Sequence, residues 1–134
     1  MEFAGDLSKP DFADQAFHDF PDVQILVNNL GNYEPKPFEE ISDQDWAAII
    51  ETNFMSGARL SRHYLPKMKA KNWGRIIFVS SESAINIPVE MGSITASRRP
   101  CNSHCRAVVA ELTPGTGVTV NSVLPGPTWS RGVV

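Results

Sequence analysis

Gly74-Arg75-Ile76-Ile77-Phe78-Val79-Ser80-Ser81 decides the fold. From Gly74 to Val79 the chain is short, apolar and rich in β-branched side chains, and two serines close it. Such a run is expected to be a strand buried on both faces of a parallel sheet. Upstream, Val23-Gln24-Ile25-Leu26-Val27 has the same character and exits through Asn28-Asn29-Leu30-Gly31. Downstream, Val118-Thr119-Val120-Asn121-Ser122-Val123-Leu124 is stopped by Pro125-Gly126-Pro127, so three strands are predicted.

Helical patterns separate them. Ser42-Asp43-Gln44-Asp45 resembles a capping box. Beyond it Trp46, Ile49, Ile50, Asn53, Phe54, Gly57, Leu60, Tyr64, Leu65 and Met68 recur at three- and four-residue steps, which predicts one long amphipathic helix. Ahead of the first strand, Ser8-Lys9-Pro10-Asp11 begins a helix from about Pro10 to Asp19, with Phe12, Phe17 and Phe20 able to share a face. Ahead of the third, Val108 to Leu112 has helical character and Gly115-Thr116-Gly117 is a turn. Strands alternating with helices predict an α/β fold: right-handed crossovers, a parallel sheet and helices on both of its faces. Ligands bind such sheets at the carboxyl ends of the strands. Here those ends carry Asn28-Asn29-Leu30-Gly31, Ser80-Ser81 and Pro125-Gly126-Pro127-Thr128.

With 134 residues and 42% hydrophobic content, the chain is about the size of one domain. A net charge of -3 and a pI near 5.5 leave no electrostatic footprint for nucleic acid. Neither an N-terminal apolar signal segment nor a membrane-length apolar run is present, so no membrane is expected and the cytoplasm is the expected location. Cys101 and Cys105 lie too close for a disulfide framework, which agrees with a reducing compartment.

Together these motifs resemble the short-chain dehydrogenase/reductase family. Asn28-Asn29-Leu30-Gly31 is similar to that family's Asn-Asn-Ala-Gly exit, and Glu51-Thr52-Asn53 sits where its helix carries an asparagine. Ile76 to Ser81 matches the strand that ends in the family's serine, Val120 to Thr128 matches the strand and Pro-Gly loop under the nicotinamide, and Asp6-Leu7 resembles the pair beside the adenine ring. The resemblance implies residues 1–134 as a single partial Rossmann-like domain and an NAD(P)-dependent oxidoreductase acting on a small carbonyl or alcohol. Asn53 and Ser81 would be catalytic, while Asp6, Leu7, Asn29, Gly31, Pro125, Gly126 and Thr128 would bind NAD or NADP.

Two departures stand against it. The family's first strands and glycine-rich phosphate turn have no counterpart in these residues, so the N-terminal βαβ units are absent. The family's Tyr-x-x-x-Lys positions, which fall after Ser81, hold Ile94 and Arg98. Isoleucine has no proton to give, and without a phenol the arginine has nothing to activate. Residues 92–106 lack helical apolar spacing and place Pro100 where a helix should pass. Read one base out of register, the codons of this segment permit Tyr-Gly-Ile-Thr-Lys, so a pair of compensating frame errors would account for it.

These readings predict a chain with little or no turnover, the alternative being a non-catalytic binding or interaction module. Ser81 also reads as a strand-end turn residue, and Asn53 as a buried amide bonded to backbone. Cys101, His104 and Cys105 crowd three possible metal ligands together but lack the second pair that structural zinc takes, so no metal site is expected. With the family's first strand missing, the Val23–Val27 strand becomes an apolar edge, which predicts marginal stability or self-association through that edge.

Overall fold

The computed structural model describes residues 2–32, 36–82 and 98–126, with the backbone alone for 98–103. Within them lie α1 (Pro10–Asp19), β1 (Ile25–Asn28), a 3-10 turn (Phe38–Glu40), α2 (Asp43–Ile50), a π-turn (Glu51–Met55), α3 (Ser56–Ala70), β2 (Gly74–Val79), α4 (Arg98–Glu111) and β3 (Val118–Val123). The strands form one parallel sheet in the order β1-β2-β3.

Local chemistry sets the boundaries. Pro10 opens α1, where its missing N–H costs nothing. Ser42 caps α2: its hydroxyl accepts from the Asp45 N–H at 3.2 Å, and the Asp45 carboxylate accepts in return from the Ser42 N–H at 2.9 Å. The end of α3 is a Schellman turn: Asn72 takes φ 50°, its N–H donates to the Lys69 carbonyl at 3.0 Å, and the Trp73 N–H donates to that of Met68 at 3.1 Å.

Both crossovers step along the sheet in the same direction, and right-handed connections of that kind lay their helices on one face. That face holds the core. Leu26, Ile76, Phe78, Val118 and Val120 of the sheet pack against Ala13 and Ala16 of α1, Leu60, Tyr64, Leu65 and Met68 of α3, and Cys105 and Val109 of α4. Among the described residues the helices therefore cover one face, not both as the alternation had suggested. Among the described residues the second face is bare: Ile25, Val27 and Val123 are 57%, 52% and 51% exposed, and Ile77 is half-buried. Accordingly β2 is buried on one side only, because its neighbours are covered on one side only.

Three further expectations are corrected. The long helix is two α-helices joined by a π-turn, so its register shifts by one residue at Asn53. α4 begins at Arg98, not near Val108; Pro100 falls in its first turn, where no N–H has a helical partner to lose. β1 runs from Ile25 to Asn28 rather than from Val23. His63 is half-buried, stacked on Phe17 with ring centroids 5.0 Å apart and with Nε2 2.8 Å from Asp14.

Candidate functional site

The carboxyl ends of all three strands meet at one rim of the sheet. β2 and β3 stay joined past their last ladder residues: the Ser80 N–H donates to the Val123 carbonyl at 2.8 Å and the Glu82 N–H to that of Pro125 at 3.1 Å. This holds Ser81 beside the Pro125-Gly126 turn. Strand alternation buries Ser80, at 2% exposure, and turns Ser81 to the other side, where it is half-buried.

Asn53 reaches the rim from the helical layer. The π-turn that carries it is the type of irregularity that re-aims a side chain out of the helical register. Its Oδ1 accepts from the Asn32 N–H at 2.7 Å and its Nδ2 donates to the Asn32 carbonyl at 3.1 Å, so a buried amide clamps the loop that follows β1. Before that loop, Asn28 is buried and donates through Nδ2 to the Ser61 hydroxyl at 3.2 Å. α3 approaches β1 closely at this point. A Cβ on Gly57 would lie 3.0 Å from Phe78 and 3.3 Å from Asn28 Cγ, so glycine is what allows the contact.

Asp6 and Leu7 are drawn to the same helical region. One Asp6 carboxylate oxygen accepts from both the N–H and the hydroxyl of Ser8, at 3.0 and 2.6 Å. Those bonds hold the Asp6 carboxyl below the ordinary carboxylate range, with the Ser8 hydroxyl the largest cause. The buried Arg59 guanidinium then donates to the Ser8 carbonyl at 3.0 Å and to Glu51 at 2.6 Å, and Leu7 packs on the core.

The structure thus joins Ser81 to Pro125 and Gly126, and Asn53 to the loop that carries Asn29 and Gly31, both exposed. Ile94 and Thr128 lie outside the described residues. Arg98 opens α4, its side chain also outside them. Among the described residues no group of three His, Cys, Asp or Glu could hold a metal: Cys105 is in the core, and its neighbour His104 is exposed. No described helix is long and apolar enough to cross a membrane.

Two residues escaped the sequence reading. Arg59 is a charge on the buried stripe of a helix, an anomaly the spacing does contain, but its partner Ser8 is remote in sequence. Glu82 follows the serine and faces Gly126, where a Cβ would lie 3.1 Å from its carboxylate.

Residues 3–132 match the family model described as short chain dehydrogenase. The "Uncharacterized oxidoreductase YvrD" of Bacillus subtilis is 47% identical over 97% of this chain and 50% of that protein. The D-beta-hydroxybutyrate dehydrogenase of Cupriavidus necator is 35% identical over 81% of this chain and 42% of its own length. Among solved structures, a short-chain dehydrogenase from Streptomyces avermitilis superimposes with a TM-score of 0.84 at 22% identity, over 96% of this chain and 48% of that one. Serine dehydrogenase from Escherichia coli gives 0.78 at 25% identity, over 91% and 58%. The chain spans about half the length of curated relatives that match nearly all of it. With a parallel open sheet, flanking helices and a family model matched along nearly its whole length, this chain belongs to the short-chain dehydrogenase/reductase family of oxidoreductases.

Proposed function

We propose that this chain forms the nicotinamide- and substrate-facing part of an NAD(P)-dependent oxidoreductase, and that with Ile94 and Arg98 in place it turns over little or nothing. The observation that carries the reading is the convergence of Ser81, the Asn53-clamped loop and Pro125-Gly126 on one rim. Bound there, a nicotinamide would supply the hydride or accept it from a small alcohol. Beside that seat Gly126 lets the Glu82 carboxylate approach closely, where a Cβ would lie 3.1 Å from it. Nothing in these residues matches the phosphate-gripping turn, so the fit is to one end of the dinucleotide.

In this scheme Ser81 orients the substrate oxygen by hydrogen bonding. Asn53 fixes the loop and holds a water: its Oδ1 keeps a lone pair and its Nδ2 a second hydrogen after the bonds to Asn32. Asn29, Gly31 and Thr128 line the cofactor path, and Asp6 with Leu7 forms the adenine end. What the chain lacks is the general acid. A group in that role is worth about 10²- to 10⁴-fold, and Ile94 supplies none of it. A reducing, cytoplasmic setting goes with this reading, since Cys101 and Cys105 lie too close in sequence for a disulfide framework.

The second reading, a non-catalytic binding module, is favoured by the same two residues, Ile94 and Arg98. Titration with NADH and NADPH, followed by nicotinamide fluorescence, separates the two. Binding that Gly126→Leu removes supports the nicotinamide seat; no binding leaves the module. Turnover of a carbonyl substrate that is lost in Ser81→Ala would overturn the claim of impairment.

A further inference from the structure

We propose, resting on the nicotinamide seat of the reading above, that Glu82 makes this rim select the oxidised cofactor: its carboxylate favours the cationic nicotinamide ring over the reduced, neutral one. The backbone fixes the residue to the seat. Glu82 comes immediately after Ser81, and its N–H donates to the Pro125 carbonyl at 3.1 Å. Its side chain then lies on the same turn. A Cβ on Gly126 would be 3.1 Å from Oε2, 3.5 Å from Cδ and 3.8 Å from Oε1, so both carboxylate oxygens rest against that glycine, whose missing side chain makes room for them.

Three other carboxylates are neutralised where they stand: Asp45 by Lys36, Glu51 by Arg59 and Asp22 by Lys71. Among the described residues no cation is paired with Glu82. Negative charge is therefore presented at the turn where the reading seats the ring.

The oxidised and reduced dinucleotides share every group except the ring, which carries one positive charge when oxidised and none when reduced. An anion held beside the seat acts on that difference alone. Glu82 is exposed, so the attraction works in a partly aqueous medium, where a unit charge several ångströms away shifts the ratio of the two dissociation constants by about 3- to 10-fold. Salt screens an attraction of this kind, whereas a preference that came from the shape of the ring would not respond to it.

Calorimetric titration of the purified chain with NAD⁺ and, separately, with NADH tests this, using Glu82→Gln, Glu82→Lys and Glu111→Gln as variants. Glutamine keeps the size of the side chain and removes its charge. Glu111 is exposed at the end of α4 that leads to the start of β3, away from the rim, so its variant reports what the net charge of -3 does by itself. The expected result is NAD⁺ bound about 3- to 10-fold more tightly than NADH, a preference that shrinks with added salt. Glu82→Gln should bring the two affinities close together, Glu82→Lys should reverse their order, and Glu111→Gln should leave the wild-type ratio. Equal affinity for both forms in the wild type overturns the proposal while the nicotinamide seat stands. Binding of neither form overturns the seat and the proposal together. A preference that survives Glu82→Gln, or ignores salt, belongs to the fit of the ring and overturns it; equal loss in Glu111→Gln assigns the effect to net charge and also overturns it. Should one position-82 variant fail to fold by far-ultraviolet dichroism, the other decides.

Discussion

Asn53 holds Asn32 by both of its backbone polar groups, at 2.7 Å to the N–H and 3.1 Å to the carbonyl. One side chain in the helical layer thereby fixes the loop after β1. Asn53→Ala should cost roughly 1–2 kcal/mol, from two hydrogen bonds at about 1 kcal/mol each. Asn53→Asp should be worse near neutral pH, where a carboxylate oxygen opposes the Asn32 carbonyl, and should recover in acid, where a protonated carboxyl can donate. Urea unfolding of the variants at neutral and acid pH checks both statements.

Gly57 pits helix propensity against packing. Alanine in a helix gains about 1 kcal/mol over glycine, but the new methyl would meet Phe78 at 3.0 Å and Asn28 at 3.3 Å. Phe78 is fully buried and Asn28 is tied to Ser61, so neither yields easily. Overpacking of this kind costs about 1–3 kcal/mol, so Gly57→Ala should be net destabilising, by up to about 2 kcal/mol. Denaturant melts of the purified variant measure it; a gain in stability would show that α3 can lift away from β1.

Asp45 gives the α2 cap an acid limit. Its carboxyl accepts from Lys36, the largest cause, and from the N–H and hydroxyl of Ser42, which together lower its pKa to about 2 from 3.8. The folded value lies below the unfolded one, so the contribution to stability is complete above the unfolded pKa and is lost as pH falls through about 2. Titration of the Asp45 carboxyl carbon by NMR should show the low midpoint, and Asp45→Asn should flatten the stability profile across that window.

Arg59 couples the Asp6–Ser8 turn to α3. Arg59→Met keeps much of the aliphatic packing but removes the bonds to the Ser8 carbonyl and Glu51. The variant should lose about 1–3 kcal/mol, the range for hydrogen bonds to a charged group. Its amides at Leu7, Ser8 and Lys9 should exchange faster than those of β2. Equal exchange rates in variant and wild type would mean that Leu7 packing alone holds the turn.

How much of this was legible depended on range. The Ser42–Asp45 box and the Pro10 start are written within a few residues and fold as read. β2 was found from its own composition. The π-turn was hidden because Ile49, Ile50, Asn53, Phe54 and Gly57 still recur at three- and four-residue steps when one residue is inserted, so apolar spacing cannot register it. The bare face was hidden for a related reason: Ile76-Ile77-Phe78-Val79 is apolar throughout, and only the direction of the crossovers tells which side is covered. At the site, the Ser81 and Asn53 positions stood out by motif. Their actual ties, to Pro125-Gly126 through Glu82 and to Asn32, depend on partners brought together from across the chain.

The extra residue in the Glu51–Met55 turn also sets how this region can change by insertion and deletion. The wide turn takes up that residue itself, so removing one residue there would close it into an unbroken α-helix and leave the Ser42 cap and the buried Ile49 facing nearly as they do. The re-aiming of Asn53 would be lost instead. A deletion within α2 or α3 has no such slack and would rotate everything upstream by about 100°, so the joint is where this helical layer can change length, and the grip on Asn32 is what such a change would forfeit.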